Sequence, residues 1–174
     1  SSNNKEHGTW IDEVKKHGIE WGGSDITVKG KEYESVKALL DAFDSKTIET
    51  TDLIPWLQKN TNHFWFERSG EERFLCLVSR AQDVDINKAM EKAEHEAKVQ
   101  GARCFTIMQG SNDEKFATRI VPELKKTFIS QENQNSPYSG YTMMRFIVPK
   151  ELHNMIPWEV VNPPTIPVGS GPPY

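Results

Sequence analysis

The sequence HFWFERSGEERFLCLV, residues 63–78, decides the fold of this chain. It contains two apolar runs, Phe64–Phe66 and Arg73–Val78, on either side of the polar connection Ser69–Glu72. A polar connection of this length that includes a glycine is typical of β-hairpins. The sequence therefore predicts a hairpin, and alternation along its first strand places Trp65 on the face opposite Phe64 and Phe66.

A helix with a regular stripe of alanine is predicted after the hairpin. Asp85 is suited to be its N-cap, and the helical pattern ends near Gly101. The apolar stripe consists of Ile86, Ala89, Met90, Ala93 and Ala97, and the charged face consists of Glu91, Lys92, Glu94, His95 and Glu96. Because alanine carries only a methyl group, such a helix can lie close to a sheet.

Further elements are predicted up to Lys150. Arg103–Met108 and Tyr141–Val148 are apolar and strand-like. Between them, Ser111 and Glu114 have the spacing of a capping box ahead of a helical stripe. Pro122 falls inside that stripe, so the helix either kinks there or stops and restarts with Pro122 in its first turn. That stripe consists of Phe116, Ala117, Ile120, Leu124 and Phe128, and the polar segment Ser130–Gly140 after it predicts a surface loop. The element order is thus ββαβαβ, and the predicted fold class is α+β, with a small mixed or antiparallel sheet covered by helices.

The N-terminal third predicts a mixed α/β subregion. A short helix is indicated in Thr9–Trp21, with Thr9 as N-cap, Gly18 as stop and Trp10, Val14 and His17 on one face. Asp25–Tyr33 predicts a hairpin, Glu34–Asp44 a helix, and Leu53–Leu57, which Pro55 interrupts, a single helical turn that seats Trp56 against the body. The predicted regions are a mixed subregion at 1–61, an α+β core domain at 62–150 and a proline-rich extended tail at 151–174.

Charge and composition exclude several classes of function. The 174 residues carry a formal net charge of −4, and no polycationic stretch occurs. Nucleic-acid binding depends on clustered Lys and Arg, so no nucleic-acid partner is expected. No apolar run is long enough to span a bilayer. The motifs of metal, nucleophile-elbow and phosphate-loop sites do not occur either, so no metal or other cofactor is predicted.

The two cysteines, Cys76 and Cys104, both lie in apolar runs. In such surroundings a thiol usually packs as a small hydrophobic group with a raised pKa. A disulfide in an oxidising compartment is the alternative if the two runs form neighbouring strands. An enzyme would have to assemble its site across elements, with Cys76 beside His63 or His95. The sequence favours a chain without catalytic activity.

The tail supplies most of the predicted partner-binding residues. Asn162–Tyr174 contains five prolines, which favours an extended, polyproline-like structure. Such a segment loses little entropy when it enters a groove, so binding to a neighbouring subunit is the preferred use; wrapping over its own domain and disorder are the alternatives. The predicted partner-binding residues are Trp65 in the hairpin and Trp158, Val160, Val161, Ile166, Val168 and Tyr174 in the tail.

The N-terminal residues Ser1-Ser2-Asn3-Asn4 are small and polar, like those that follow the lipidated cysteine of a bacterial lipoprotein. An arbitrary domain boundary produces the same residues. The hairpin, the helix at Asp85–Ala97 and the strand at Tyr141–Lys150 together resemble small bacterial surface and flagellar outer-membrane lipoproteins. In that group a strand leads into an Ala-x-x-x-Ala-x-x-x-Ala helix, and a later strand of the Tyr-x-x-x-Arg type closes the sheet. The resemblance consists of packing positions and implies no catalytic residues.

The expected function is that of a non-catalytic protein of the periplasm or outer membrane, anchored only by an N-terminal lipid. It would act as a structural subunit of a membrane-associated assembly such as a secretion or motility apparatus. Its partners would be other protein subunits or further copies of this chain, with no cofactor. The alternative is a small cytoplasmic enzyme or ligand-binding domain whose Cys/His site is assembled across elements.

Overall fold

The computed structural model describes residues 10–22, 25–110 and 120–156. The strands in these ranges are β1 Glu20–Trp21, β2 Ile26–Val28, β3 Lys31–Tyr33, β4 His63–Ser69, β5 Glu72–Asp83, β6 Leu124–Ser130 and β7 Tyr138–Ile147. The helices are α1 at residues 10–15, α2 Val36–Asp44, α3 Thr50–Lys59 and α4 Ile86–Gln109, and a 3-10 helix follows at Lys150–Met155.

Five strands form one mixed sheet in the order β1-β4-β5-β7-β6, and β2 pairs with β3 in a separate antiparallel sheet. β1 is parallel to β4, whereas the other neighbours in the large sheet are antiparallel. Helix α4 and α1 pack on one face of the large sheet, and α2, α3 and the β2–β3 pair pack on the other. The predicted fold class is therefore confirmed: an α+β fold with a small mixed sheet covered by helices.

The hairpin predicted around Ser69–Glu72 is confirmed. Ser69 pairs with Glu72, so two residues form the turn, and Gly70 has a φ of +60° that glycine adopts without steric cost. Phe64 and Phe66 lie in the core cluster under α4, and Trp65 lies in the cluster under α2 and α3. Alternation along β4 thus supplies large aromatic rings to both layers of the core.

Helix α4 begins as predicted but is longer than predicted. The Asp85 carboxylate accepts hydrogen bonds from the N–H groups of Asn87 and Lys88 at 2.8 and 3.2 Å, which confirms its role as N-cap. The predicted strand Arg103–Met108 is wrong, because these residues continue α4 to its end at Gly110. The buried residues of this part recur at helical intervals, at Gly101, Cys104, Phe105 and Met108. A short, nearly continuous apolar run fits a buried strand as well as a buried helix, so the sequence pattern does not distinguish them.

The predicted helix over Ile120–Phe128 is also wrong, because Leu124–Ser130 form strand β6. Leu124 and Phe128 contact the core cluster under α2, while the hydroxyl of Thr127 contacts Glu94 on α4. A separation of four residues places two side chains on one face of a helix and equally on one face of a strand, so the stripe was ambiguous. The segment Ser111–Ala117, with its predicted capping box, lies outside the described residues.

The N-terminal third follows the prediction in most respects. The β2–β3 hairpin and α2 are confirmed, and Ser35 caps α2 by accepting from the N–H of Ala38 at 3.1 Å. The single turn predicted around Trp56 is wrong, since α3 has 10 residues and contains Pro55 in its interior. Pro55 is exposed, so water can satisfy the carbonyl that the proline leaves without a donor.

The other predicted details of this third have mixed outcomes. Trp10 and Val14 are buried, but His17 is exposed because the helix ends at residue 15 and a turn follows it. Gly18 has a φ of +85°, as expected for a residue that stops a helix. The predicted N-cap, Thr9, lies outside the described residues. The division of the chain at residues 61 and 150 stays a prediction.

Strand β7 and the loop before it agree with the prediction within a few residues. β6 ends at Ser130 and β7 begins at Tyr138, so a loop over residues 131–137 joins them. Proline follows the strand at Pro149 and begins the 3-10 helix as its N-cap. The strand predicted at Tyr141–Val148 is therefore confirmed, although it begins at Tyr138 and ends at Ile147.

Two glycines let α4 approach the sheet closely. A Cβ added to Gly101 would lie 2.4 Å from Cε2 of Phe146, and one added to Gly140 would lie 2.6 Å from the carbonyl oxygen of Ala89. Ala89, Ala93 and Ala97 are fully buried along the same contact. Small residues on both surfaces therefore allow the helix to pack against β7 more closely than larger side chains would permit.

We expect Gly101→Ala to destabilise the protein, although alanine in a helix is intrinsically better than glycine by about 1 kcal/mol. The new methyl group would displace the buried ring of Phe146, and overpacking of this kind costs about 1–3 kcal/mol. Chemical denaturation measures the change, with Lys98→Ala on the exposed side of α4 as the control.

The double variant Gly101→Ala with Phe146→Leu separates the steric cause from others. Leucine leaves room for the methyl group, so the two substitutions should couple favourably in a double-mutant cycle. A Gly101→Ala protein that is more stable than the wild type would show that helix propensity alone governs this position.

Candidate functional site

The most unusual group of side chains in the fold is a buried ionic cluster around Arg145 of β7. Arg145 is 5% exposed and Glu67 of β4 is 7% exposed, which is rare for charged residues. Arg145 donates from Nε and Nη2 to the carboxylate of Glu123 at 2.7 and 3.0 Å. Its Nη1 donates to Oε1 of Glu67 at 3.2 Å. One guanidinium therefore serves two carboxylates.

The sheet register brings these residues together. Glu67 pairs with Phe74 across β4 and β5, and Cys76 of β5 pairs with Arg145 of β7. Side chains two residues apart on a strand share a face, so Phe74 and Cys76 of the intervening strand β5 lie on the same face of the sheet as the ion pair. The Arg145 guanidinium stacks over the Phe74 ring, 3.9 Å from the ring centroid. This contact adds a cation–π interaction to the ion pairs.

Glu67 also joins the sheet to helix α2. Its Oε2 accepts from the N–H of Val36, the first residue of the helix, at 2.8 Å, and from the indole N–H of Trp65 at 3.4 Å. A carboxylate at a helix N-terminus satisfies a free backbone donor and interacts well with the helix dipole. Glu67 therefore connects β4, β7 and α2 through a single side chain.

Burial controls the ionisation of this cluster. Removal from water raises the pKa of Glu67, and the hydrogen bonds from Val36, Trp65 and Arg145 only partly oppose that effect. Burial by itself would lower the pKa of Arg145, but Glu123 and the other anionic neighbours raise it, so the guanidinium stays charged. The cluster is an arrangement that packs and links elements of the fold.

The thiols are unsuited to nucleophilic chemistry in this fold. Burial, followed by the nearby Glu67 carboxylate, raises the pKa of Cys76 well above its ordinary value, and burial raises the pKa of Cys104 to about 12. Both cysteines are free, and they belong to core clusters on opposite faces of the sheet, so the disulfide that the sequence left open does not form. A buried neutral thiol is inert compared with a thiolate.

The histidines named with Cys76 have other surroundings. His63 is half-buried and its Nδ1 lies 2.9 Å from the carbonyl oxygen of Thr61. His95 is exposed on α4. The charged groups that act on Cys76 are Glu67, Arg145 and Glu123. Across the described ranges, no group of three His, Cys, Asp or Glu side chains is arranged to hold a metal ion.

The predicted partner-binding residues fall in two places. Trp65 is 1% exposed and its ring packs edge-on against Trp56, 5.8 Å between centroids. A side chain this buried offers no surface to a partner. The other predicted residues, Trp158, Val160, Val161, Ile166, Val168 and Tyr174, lie outside the described residues.

No family model, curated protein or solved structure matches this chain. The resemblance to small bacterial surface lipoproteins therefore stays a prediction that depends on the quoted packing positions. In the part of the chain that the structure describes, no helix has the length and apolar character needed to cross a membrane.

The ionic cluster was missed at the level of sequence, although a signal was present. Glu67 directly follows the aromatic run Phe64–Phe66, and Arg145 interrupts the apolar strand at Tyr141–Ile147. A charge of each sign at a core position of two predicted strands indicates a buried pair. Glu123 carried no such signal because its surroundings were predicted to be helical.

We expect the two thiols to react very slowly with a disulfide reagent in the native protein at mildly alkaline pH. Full burial keeps both groups protonated and inaccessible, so labelling should follow unfolding. Timed thiol assays on the native and the denatured chain measure this, and Cys104→Ala assigns the rate to Cys76. A thiol at Cys76 that reacts rapidly in the native state would contradict the structure and support a nucleophile.

Arg145→Met should destabilise the protein by about 3–5 kcal/mol, because it leaves the buried Glu67 carboxylate without its cation. Adding Glu67→Gln to Arg145→Met should recover part of that loss, since the remaining side chain at position 67 is then neutral. Lys126→Met is the matched control, because Lys126 also lies over an aromatic ring but its ion pair with Asp44 is at the surface. Equal losses from Arg145→Met and Lys126→Met would contradict a special role for the buried cluster.

Proposed function

We propose that this chain is a non-catalytic binding subunit of a multiprotein assembly. In this proposal the α+β body is a rigid base, and the proline-rich segment that follows it contacts a partner protein. The supporting observation is the way the body ends. Ile156 is 2% exposed in the core cluster under α4, and it is followed in the sequence by the segment Pro157–Tyr174.

The last described residues are held by several contacts. The indole N–H of Trp10 donates to the carbonyl oxygen of Met155 at 2.9 Å. Nε2 of His153 lies 2.9 Å from the carbonyl oxygen of Val148, and Leu152 is buried. The proline-rich segment therefore starts from a fixed point on the body, and this reduces the entropy that its binding to a partner would cost.

The composition of Pro157–Tyr174 favours binding to a groove. Proline restricts the backbone before binding, and polyproline segments are recognised by aromatic-lined grooves on partner proteins. The apolar residues Val160, Val161, Ile166 and Val168 gain from being covered, and Trp158 and Tyr174 are of the types that dominate interface energies. We expect the occupied groove to lie on another protein subunit or on a second copy of this chain.

The surroundings of the reactive groups support the non-catalytic part of the proposal. Cys76, Glu67 and Arg145 are buried, and Glu67 accepts hydrogen bonds from Arg145 and from the N–H of Val36 in α2, so a substrate would have little access to them. Their hydrogen bonds join elements of the fold, and stabilising a fold is the ordinary role of a connected buried polar network.

We further propose that the assembly belongs to a bacterial cell envelope, in the periplasm or at the outer membrane. This part depends on the resemblance of the alanine-striped helix and the strand at Tyr141–Lys150 to surface lipoproteins. Expression of the complete gene with a radiolabelled fatty acid tests it. Lipid incorporation and recovery in the membrane fraction are expected; an unlabelled protein in the cytoplasmic fraction would remove this part while leaving the binding role open.

Deleting Asn162–Tyr174 should reduce the mass of the complex that the protein forms but leave its thermal unfolding nearly unchanged. Sedimentation of the purified chain detects self-association, and native electrophoresis of extracts from cells that express the chain from its own gene detects other subunits. The matched control replaces Asn162–Tyr174 with a Gly/Ser segment of equal length. Trp158→Ala should weaken the complex in the same assays, because buried tryptophans dominate interface energies.

Two results would overturn the binding role. A large loss of thermal stability on deletion would show that the segment belongs to the core of its own domain. An unchanged complex mass in both the deletion and the Trp158→Ala variant would show that the segment is not a contact.

A further inference from the structure

We propose that the Glu67–Arg145–Glu123 cluster is a proton-binding site, in which Glu67 takes up a proton in the folded protein and makes the attachment of α2 to the sheet sensitive to pH. The folded protein would thereby be more stable in mild acid than at neutral pH. This inference is independent of the proposed binding function.

The charge count of the cluster provides the first argument. Two carboxylates, Glu67 and Glu123, share the single guanidinium of Arg145. The group carries a net negative charge when both carboxylates are ionised, and an excess negative charge is costly on its buried side, where Glu67 lies. One added proton makes the cluster neutral.

The geometry indicates which carboxylate takes the proton. Glu123 receives two hydrogen bonds from Arg145, from Nε at 2.7 Å and from Nη2 at 3.0 Å, and its side chain is 29% exposed. Glu67 receives only one, from Nη1 at 3.2 Å, and is almost fully buried. A bidentate pair at the surface is the stronger partner for the cation. Glu67 is therefore the carboxylate whose charge the guanidinium compensates less.

The other groups that face Glu67 carry no charge, and the hydrogen bonds from two of them oppose the effect of burial on its pKa only in part. From α2 it meets the neutral N–H of Val36, from its own strand the neutral indole of Trp65, and from β5 the neutral thiol of Cys76. Arg145 is the cation of the cluster and Glu123 its second anion. Burial is the largest influence on Glu67 and raises its pKa, in agreement with the geometry.

The sign of the pH dependence follows from linkage. The folded pKa of Glu67 is raised above its usual value of 4.5, so between these two values the folded state binds more protons than the unfolded chain. The stability contributed by Glu67 is fully present below the unfolded pKa and is lost as pH rises through the folded pKa. This trend is opposite to that of carboxylates whose folded pKa is lowered by surface ion pairs, such as Asp83.

The proton should also change the contact that Glu67 makes with α2. An ionised carboxylate bonds the N–H of Val36 with the help of charge, whereas a neutral carboxyl group accepts as an ordinary oxygen. Ser35 also caps α2 through the N–H of Ala38. The helix can therefore stay in place in both protonation states, and the proton adjusts its attachment without releasing it.

The experiment compares the pH dependence of unfolding in the wild type and in Glu67→Gln, with Glu94→Gln as the control. Glu94 is a carboxylate on α4 that pairs with Lys125 outside the cluster. As pH rises through the window above 4.5, the wild-type folding constant should fall by up to about tenfold per pH unit from this one group. That component should be absent in Glu67→Gln and present in Glu94→Gln. Identical pH profiles for the wild type and Glu67→Gln would overturn the proposal.

A direct titration decides the matter if Glu67→Gln fails to fold. The carboxyl carbon of Glu67, followed by NMR in the wild-type protein, should titrate above its usual pKa. In Glu123→Gln the whole guanidinium is available to Glu67, so its titration should move to lower pH. A Glu67 signal that titrates at or below 4.5 in the wild type would refute the proton site.

Discussion

A guanidinium inside the sheet-helix interface constrains most of the tertiary structure. Arg145 stacks on Phe74 in a layer of apolar side chains, where an unpaired charge would cost several kcal/mol. Glu67 from β4 and Glu123 from the segment before β6 supply the compensating anions. Because Glu67 also bonds the first residue of α2, the pairing determines where the second helical layer meets the sheet. Three strands and one helix thus depend on a single set of contacts.

The opposite face of the sheet is constrained by the short distance between helix α4 and strand β7. Alanines on α4 and the glycines at positions 101 and 140 remove the side chains that would separate helix and strand. The aromatic rings of Phe105 and Phe146 fill the remaining space, edge to face at 6.0 Å. Both faces are therefore packed by apolar side chains, and the face under α2 and α3 also contains the buried ionic cluster.

The elements that could be predicted are those whose signals are local. The β4–β5 hairpin follows from its turn and flanking runs, and the start of α4 follows from Asp85 and the alanine stripe. The errors occurred where one pattern fits two structures. Cys104, Phe105 and Met108 read as a strand but continue a helix, and Leu124 and Phe128 read as a helical pair but belong to a strand. In both segments the secondary structure depends on the surface that the segment packs against. Gly101 of α4 packs against the ring of Phe146, and β6 pairs with β7.

Local sequence is sufficient to predict the fold class, the β4–β5 hairpin, the N-cap Asp85 and the apolar character of the cysteine surroundings, because turn chemistry, capping and periodicity act over a few residues. The strand order, the placement of the two thiols on opposite faces and the contact of Glu67, Glu123 and Arg145 depend on tertiary packing. These three charged residues are separated by as many as 78 positions along the chain. Such meetings depend on the register between strands that are distant in sequence. A charged side chain on an apolar strand predicts a partner of opposite charge, but which residue is the partner depends on the register of the assembled sheet.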